Sequence, residues 1–420
     1  TWTVRGAHVL DAAGEFGAAS DVVVSGDRIA EVRASGQAAR TPSIDAGGWF
    51  LLPGFTDCHV HAICTTLDIR ELLQVPITRR TLQAAGNLRA SLQAGVTLVR
   101  DAGGLDAGVR TALERGEIAG PRVQTGGHYD GFLSGPGREM TTDALPSYPG
   151  RPDHIVDGTD SMRKAVRQLV RAGADWIKVF ATGGVTGPHD DPDAAEFTAD
   201  ELEVAVAEAA RRNKGVMAHA FGGEGLDQAV RAGVRSIEHG IFLTEEQAQA
   251  MAKAGCWLVP TLSILHEALA WARAGTLAPA SARAAFAVEP HIGEAVAIAR
   301  AHGVRIAMGT DALIGDHHGA NLRELAYMKA AGLSTAEALL AATRGGYELC
   351  GLGDELGRIA AGFVFDAVLL RADPSDLQSL AEPGAVAGVF QGGRPVWLAP
   401  DARERLSGQG WPQSSWVGCT

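Results

Sequence analysis

The chain has 420 residues, of which 46% are hydrophobic and 20% charged, with a formal net charge of -12. Those proportions support a sizeable buried core and exclude an intrinsically disordered chain, and the acidic balance, with Lys and Arg scattered rather than striped, excludes nucleic acid as a partner. No apolar run of about 18 residues is present and the first residues lack a charged-then-apolar leader, so no membrane span and a cytoplasmic location are expected.

The first stretch, WTVRGAHVLDAAGEFGAASDVVVSGDRIAEVRA, alternates short β-branched runs with Gly and Asp turns, the pattern of hairpins in a small sheet. Similar runs return near the other end in LGRIAAGFVFDAVLLRAD and VAGVFQGGRPVWLAP. Residues 1–52 and 357–420 are therefore expected to join as one small β-sandwich domain. The middle, residues 53–356, is expected to form a separate unit.

In that middle, apolar runs ending in polar or Gly-rich punctuation alternate with Ala, Glu and Arg rich stretches of helical period. In chain order the runs are FLLPGFTDCHVH, GVTLVRDAGG, RVQTGG, DWIKVFATGG, GVMAHA, SIEHG, CWLVPTL and VRIAMGTD. Strand and helix repeated eight times predict an α/β fold of the (β/α)8 TIM barrel type, whose active site lies where the strands end.

The residues that carry chemistry sit at those ends. His59 and His61 are two apart on a strand, so both imidazoles leave one face and can grip one metal. His219 and His239 end two further runs, and Asp311 ends the last, where a buried carboxylate needs a metal or another partner. An N-cap for the segment DALIGD is the structural alternative for Asp311. Lys178 lies inside the apolar WIKVF, where burial disfavours an ammonium. A neutral amine there can add carbon dioxide to give a carbamate able to bridge two divalent ions, whereas pairing with an Asp or Glu is the structural alternative. The five cysteines are odd in number and show no CxxC, so reduced thiols are expected.

These motifs resemble those of the amidohydrolase superfamily, in its binuclear branch with a carboxylated lysine. PGFTDCHVHA is similar to that family's first-strand motif, KVFATGG to its lysine strand, and MAHA, IEHG and GTDA to its remaining ligand motifs. Within the superfamily the chain most resembles Xaa-Pro dipeptidases and imidazolonepropionase-like proteins. The resemblance implies that His59, His61 and Asp311 hold one metal and His219 and His239 the other, with N6-carboxylated Lys178 between them, and zinc is the first choice. It implies hydrolysis of a small-molecule amide, peptide or N-acyl amino acid, with Asp311 shuttling the proton, and a homo-oligomeric state.

His128 and Tyr129 open a long Gly and Pro rich stretch, QTGGHYDGFLSGPG, read as a substrate-facing loop in which His128 stabilises the oxyanion. Dipeptidases of this group carry Tyr two positions after the fifth-strand His. Phe221 stands there and cannot hydrogen-bond a substrate carboxylate, which favours an amide with a less polar part. Arg100 and Asp101 are read as parts of a structural ion pair, and His318, in an HGxN pattern, is left between pocket wall and structural role. Two competing readings are a mononuclear cyclic-amide hydrolase or deaminase and a barrel scaffold without catalysis.

Overall fold

The structure, a computed structural model, describes residues 1–36, 41–66, 74–126, 132–134, 153–184, 191–192 and 194–407. Its strands are, in order, β1 (Trp2–Val9), β2 (Ser20–Ser25), β3 (Arg28–Ala34), β4 (Ser43–Asp45), β5 (Phe50–Pro53), β6 (Phe55–Val60), β7 (Val96–Asp101), β8 (Arg122–Thr125), β9 (Phe132–Ser134) and β10 (Asp153–Ile155). There follow β11 (Trp176–Phe180), β12 (Gly215–Ala220), β13 (Ser236–His239), β14 (Trp257–Val259), β15 (Arg305–Ile306), β16 (Ala367–Leu370), β17 (Val386–Gln391), β18 (Arg394–Leu398) and β19 (Leu406–Ser407).

Both ends of the chain enter one sheet, ordered β18-β17-β16-β5-β1-β2-β3, with β4 and β19 alongside. β16 runs antiparallel to β5, and β5 parallel to β1, so the last third of the chain is hydrogen-bonded to the first fifty residues. Val22 and Val24 are fully buried while Val23 between them is less so, the period of a sheet with one face on a core. Trp2 locks the two ends together. Its ring stacks on Phe390 at 5.3 Å and meets Phe365 edge-on at 5.5 Å, and its indole N–H donates to the Gly393 carbonyl at 2.9 Å. Such ring pairs contribute about 0.5–1.5 kcal/mol each beyond the area they bury.

The middle of the chain forms two sets of parallel strands, β6-β7-β8 and β10-β9-β11-β12-β13-β14-β15. Main-chain bonds join them at both edges of the smaller set. The Asp175 N–H donates to the Thr125 carbonyl at 2.8 Å beyond β8, and along β6 Cys58 N–H reaches Met308 O at 2.8 Å, while Asp311 N–H reaches His59 O at 2.7 Å. Helices Thr159–Arg171, Ala199–Ala210, Gly223–Ala232, Glu245–Ala254 and Leu262–Ala274 follow β10 to β14 in turn, and Arg323–Ala330 follows β15.

The helices are read locally in the sequence. Thr159–Arg171 buries Met162, Ala165, Val166 and Leu169, the i, i+3, i+4, i+7 stripe of a helix laid on a sheet. Glu245–Ala254 starts with a capping box of Thr244 and Gln247 and stops at Gly255, whose φ of 67° is left-handed.

Three expectations change. FLLPGFTDCHVH is two strands, because Gly54 turns the chain from the terminal sheet into the parallel set, and a Cβ there would lie 1.9 Å from Thr97 Oγ1. The stretch expected as a loop after β8 contains β9, whose Leu133 is fully buried and pairs with Val179 of β11. The last run is a strand only over β15, and its remainder is held as extended chain by the bonds to β6. Among the described residues no helix is long and apolar enough to cross a membrane. Cys58, Cys64, Cys256 and Cys350 are free thiols, and Cys419 lies outside the described residues.

Candidate metal centre

At the ends of β6, β12 and β13 and in the turn after β15 the structure brings four imidazoles and a carboxylate together, with Lys178 one strand away. The ring of His59 lies 5.5 Å from that of His61 and 5.2 Å from that of His239, and His239 lies 4.6 Å from His219. Ligand atoms of His59, His239 and Asp311 all lie within 4.8 Å of one another, a grouping that fits a metal ion. Sheet register sets this up: Phe180 of β11 stands opposite His219, and Ala220 opposite His239.

Each imidazole is oriented by an acceptor or hydroxyl on its far side. His59 Nδ1 is 2.7 Å from Glu238 Oε2, His61 Nδ1 is 2.9 Å from the Gly103 carbonyl, His219 Nε2 is 3.1 Å from the Gly183 carbonyl, and His239 Nδ1 is 2.6 Å from Thr261 Oγ1. A carbonyl or carboxylate can only accept, so it fixes the proton on the bonded nitrogen and turns the other nitrogen's lone pair inward.

Those inward lone pairs meet another acceptor. Nε2 of His61 and of His59 stand 3.3 Å and 3.6 Å from Asp311 Oδ1, which is buried and has no hydrogen-bond donor. Lone pairs facing a buried carboxylate oxygen are unfavourable without a cation between them. The donor set therefore fits a divalent ion. Electrostatics agree: burial holds His59 and His239 well below the usual imidazole range, so both rings stay neutral. Burial raises the Asp311 carboxyl above its ordinary range.

The backbone is strained at this spot. His239 and Asp311 hold φ of 74° and 56°, left-handed values rare for residues other than glycine. No helix starts at Asp311, since the next helical turn is Gly315–His317, so it is no helix N-cap. Asp57 holds the Asp311 turn against β6, accepting from Thr310 N–H at 3.0 Å, Thr310 Oγ1–H at 2.6 Å and Asn321 Nδ2–H at 2.8 Å. Burial pushes its carboxyl up to about 6.

Lys178 is 1% exposed, with its Nζ 5.2 Å from the centre of the Phe180 ring. Phe221 is buried beside the imidazoles, its ring 4.9 Å from His219 and 5.4 Å from His239. His128 and Tyr129 lie outside the described residues. His318 is buried, its Nε2 has no hydrogen-bond partner, and burial together with His317 and His61 lowers it to about 4.

Sequence reading missed Glu238. Its carboxylate takes the Arg100 guanidinium at 2.9 and 3.0 Å and the Ser236 hydroxyl at 2.5 Å while bonding His59, and both Glu238 and Arg100 are fully buried. Arg100 is thus in an ion pair, with Glu238 rather than its neighbour. Asp101 instead accepts the N–H groups of Ala62, Gly103 and Leu105 at 2.9, 3.1 and 3.1 Å. A Glu directly before the His of SIEHG was the available signal.

Comparison with known proteins agrees with this geometry. The profile of the amidohydrolase family matches residues 50–396. The chain belongs to the amidohydrolase family. Ochratoxinase of Aspergillus niger is 33% identical to this amidohydrolase over 363 residues, covering 82% of this chain and 75% of that protein. Imidazolonepropionase of Mycolicibacterium smegmatis is 26% identical over 92% of this chain and 93% of its own. Among solved structures, a prolidase complexed with N-methylphosphonate-L-proline is 32% identical and superposes with a TM-score of 0.86 over 95% of this chain and all of its own.

Proposed function

We propose that this amidohydrolase is a metal-dependent enzyme that cleaves the C–N bond of a small amide, either a peptide or an N-acyl amino acid. On this reading the parallel strands form one (β/α)8 barrel over residues 53–356, and residues 1–52 and 357–420 form a β-sandwich domain. The observation that carries it is the buried Asp311 oxygen faced by the inward nitrogens of His59 and His61. The relatives named ochratoxinase and prolidase support the hydrolytic class.

His59, His61 and Asp311 would hold one divalent ion and His219 and His239 a second, with Lys178 as its carbamate between them. When bound, the ions supply Lewis-acid polarisation of the scissile carbonyl and activation of water. Asp311 takes the proton released by the attacking water and returns it to the departing nitrogen, so that the amine leaves neutral. Glu238 and the Gly103 carbonyl keep His59 and His61 in the tautomers that point a lone pair inward. Phe221 presents an apolar wall beside His219 and His239, which suits a substrate with a less polar portion.

Protein purified without chelators is expected to carry two divalent ions per chain, zinc first, and to hydrolyse members of a panel of dipeptides and N-acyl amino acids. Dipicolinate should abolish turnover and added zinc restore it. Labelled bicarbonate should give a carbamate carbon signal that Lys178→Ala lacks. One ion per chain with turnover of cyclic amides alone would favour the imidazolonepropionase-like reading. Absence of both metal and turnover would refute the proposal.

A further inference from the structure

Strand β14, between β13 and β15 in the larger parallel set, contributes no ligand to the proposed centre, yet the turn after it is built with unusual care. Thr261 is fully buried and adopts φ 51° and ψ 47°, a left-handed conformation in which a β-branched residue is a genuine outlier. It stands immediately before helix Leu262–Ala274 without using its side chain as a cap. Its Oγ1 instead lies 2.6 Å from Nδ1 of His239. A threonine at a helix start ordinarily satisfies one of the orphan N–H groups.

Another residue does that work. Glu324, fully buried on the helix Arg323–Ala330, accepts the Leu262 N–H at 2.8 Å on one oxygen and the Ser263 N–H at 2.7 Å and Ser263 hydroxyl at 2.6 Å on the other. The carboxyl group of Glu324, from a distant helix, therefore supplies the cap, which leaves the Thr261 hydroxyl available for an imidazole on the neighbouring strand. The strain at Thr261 is matched by the left-handed φ of His239, so each end of this hydrogen bond is held by an uncommon backbone conformation.

We propose that Thr261, held in place by Glu324 capping the helix after it, is a positioning residue that accepts the Nδ1–H of His239 and thereby fixes which nitrogen His239 offers to a divalent ion. The inference rests on the metal-dependent reading above. It assigns to strand β14 and to the helix carrying Glu324 a part in metal retention.

The test uses the full-length protein loaded with cobalt(II) and follows both the visible spectrum and the ions retained during dialysis against dipicolinate. Wild type is expected to retain two equivalents. Thr261→Val, which keeps the shape and removes the hydroxyl, is expected to lose one equivalent with affinity weakened about 10- to 100-fold, the range for losing the hydrogen bond behind a ligating imidazole. Thr261→Ser, which restores the hydroxyl, should retain that equivalent and the wild-type spectrum.

Thr261→Gly separates the hydroxyl from backbone strain, because glycine accepts the left-handed conformation without the steric cost. It should lose the same equivalent as Thr261→Val while remaining folded by circular dichroism. Glu324→Gln should weaken the same equivalent. Undiminished cobalt retention and spectrum in both Thr261→Val and Thr261→Gly overturn the inference while leaving the metal-dependent reading intact. Retention in Glu324→Gln alone removes Glu324 from it. A wild-type protein that binds no cobalt sinks both.

Discussion

Glu238 lies 2.7 Å from His59 through one oxygen and spans the Arg100 guanidinium with both, so a single buried carboxylate orients an imidazole and neutralises a buried cation. A buried ion pair of this kind is costly to assemble, and removing one partner leaves the other unpaired in a medium that cannot solvate it. Glu238→Gln should therefore destabilise the protein by about 3–5 kcal/mol in urea unfolding. The same variant should weaken metal retention, because the amide no longer fixes the His59 tautomer. Unfolding midpoint and metal content equal to wild type would show that the pair does neither.

Asp311 sits at φ 56°, a conformation that Asn tolerates better than most residues. Asp311→Asn should consequently fold with little change in thermal midpoint, while kcat falls by about 10²- to 10⁴-fold, the usual contribution of a positioned acid–base group. Normal turnover by a folded, metal-loaded variant would remove the proton-shuttle role.

Phe221 is buried between His219 and Phe242, with ring separations of 4.9 and 6.4 Å. Phe221→Tyr adds a hydroxyl beside the imidazoles and should shift preference toward substrates that present a carboxylate there. The gain in relative kcat/KM is expected to be about tenfold or more, from a hydrogen bond to a charged group worth about 1.5–3 kcal/mol. An unchanged ranking across dipeptides and N-acyl amino acids would mean that position 221 does not set specificity.

Burial pushes the Glu324 carboxyl from 4.5 up to about 8, against the three donors that favour its ionised form. Between those values the folded protein holds a proton that the unfolded chain has released, so stability falls as pH rises through this window. The slope from this one group approaches about 1.4 kcal/mol per pH unit at most. Below 4.5 both states are protonated and the dependence ends. Glu324→Gln should flatten the pH dependence of urea stability between pH 5 and 8, and a variant with the wild-type slope would count against this assignment.

Much of the fold was legible because its signals are local. The β-branched runs at both ends, the capping box of Thr244 and Gln247 and the apolar stripe from Met162 to Leu169 each lie within a few residues of chain. The ends of β6, β12 and β13 were equally readable, since HxH, HAF and SIEHG each place an imidazole where an apolar run stops. β9 was not, because three residues in a Gly and Pro rich stretch carry too little periodicity to distinguish a strand from a loop.

The amino-acid order alone marked His59, His61, Lys178, His219, His239 and Asp311 as candidates, because residue type and position at a run's end are properties of single segments. Only the tertiary structure decided what stands behind them: Glu238 with Arg100 behind His59, Asp57 under the Asp311 turn, and Thr261 with Glu324 behind His239. Those partners are separated from their targets by up to 264 residues along the chain, as Asn321 is from Asp57. A hydrogen bond depends on distance and direction in space, which no local pattern encodes.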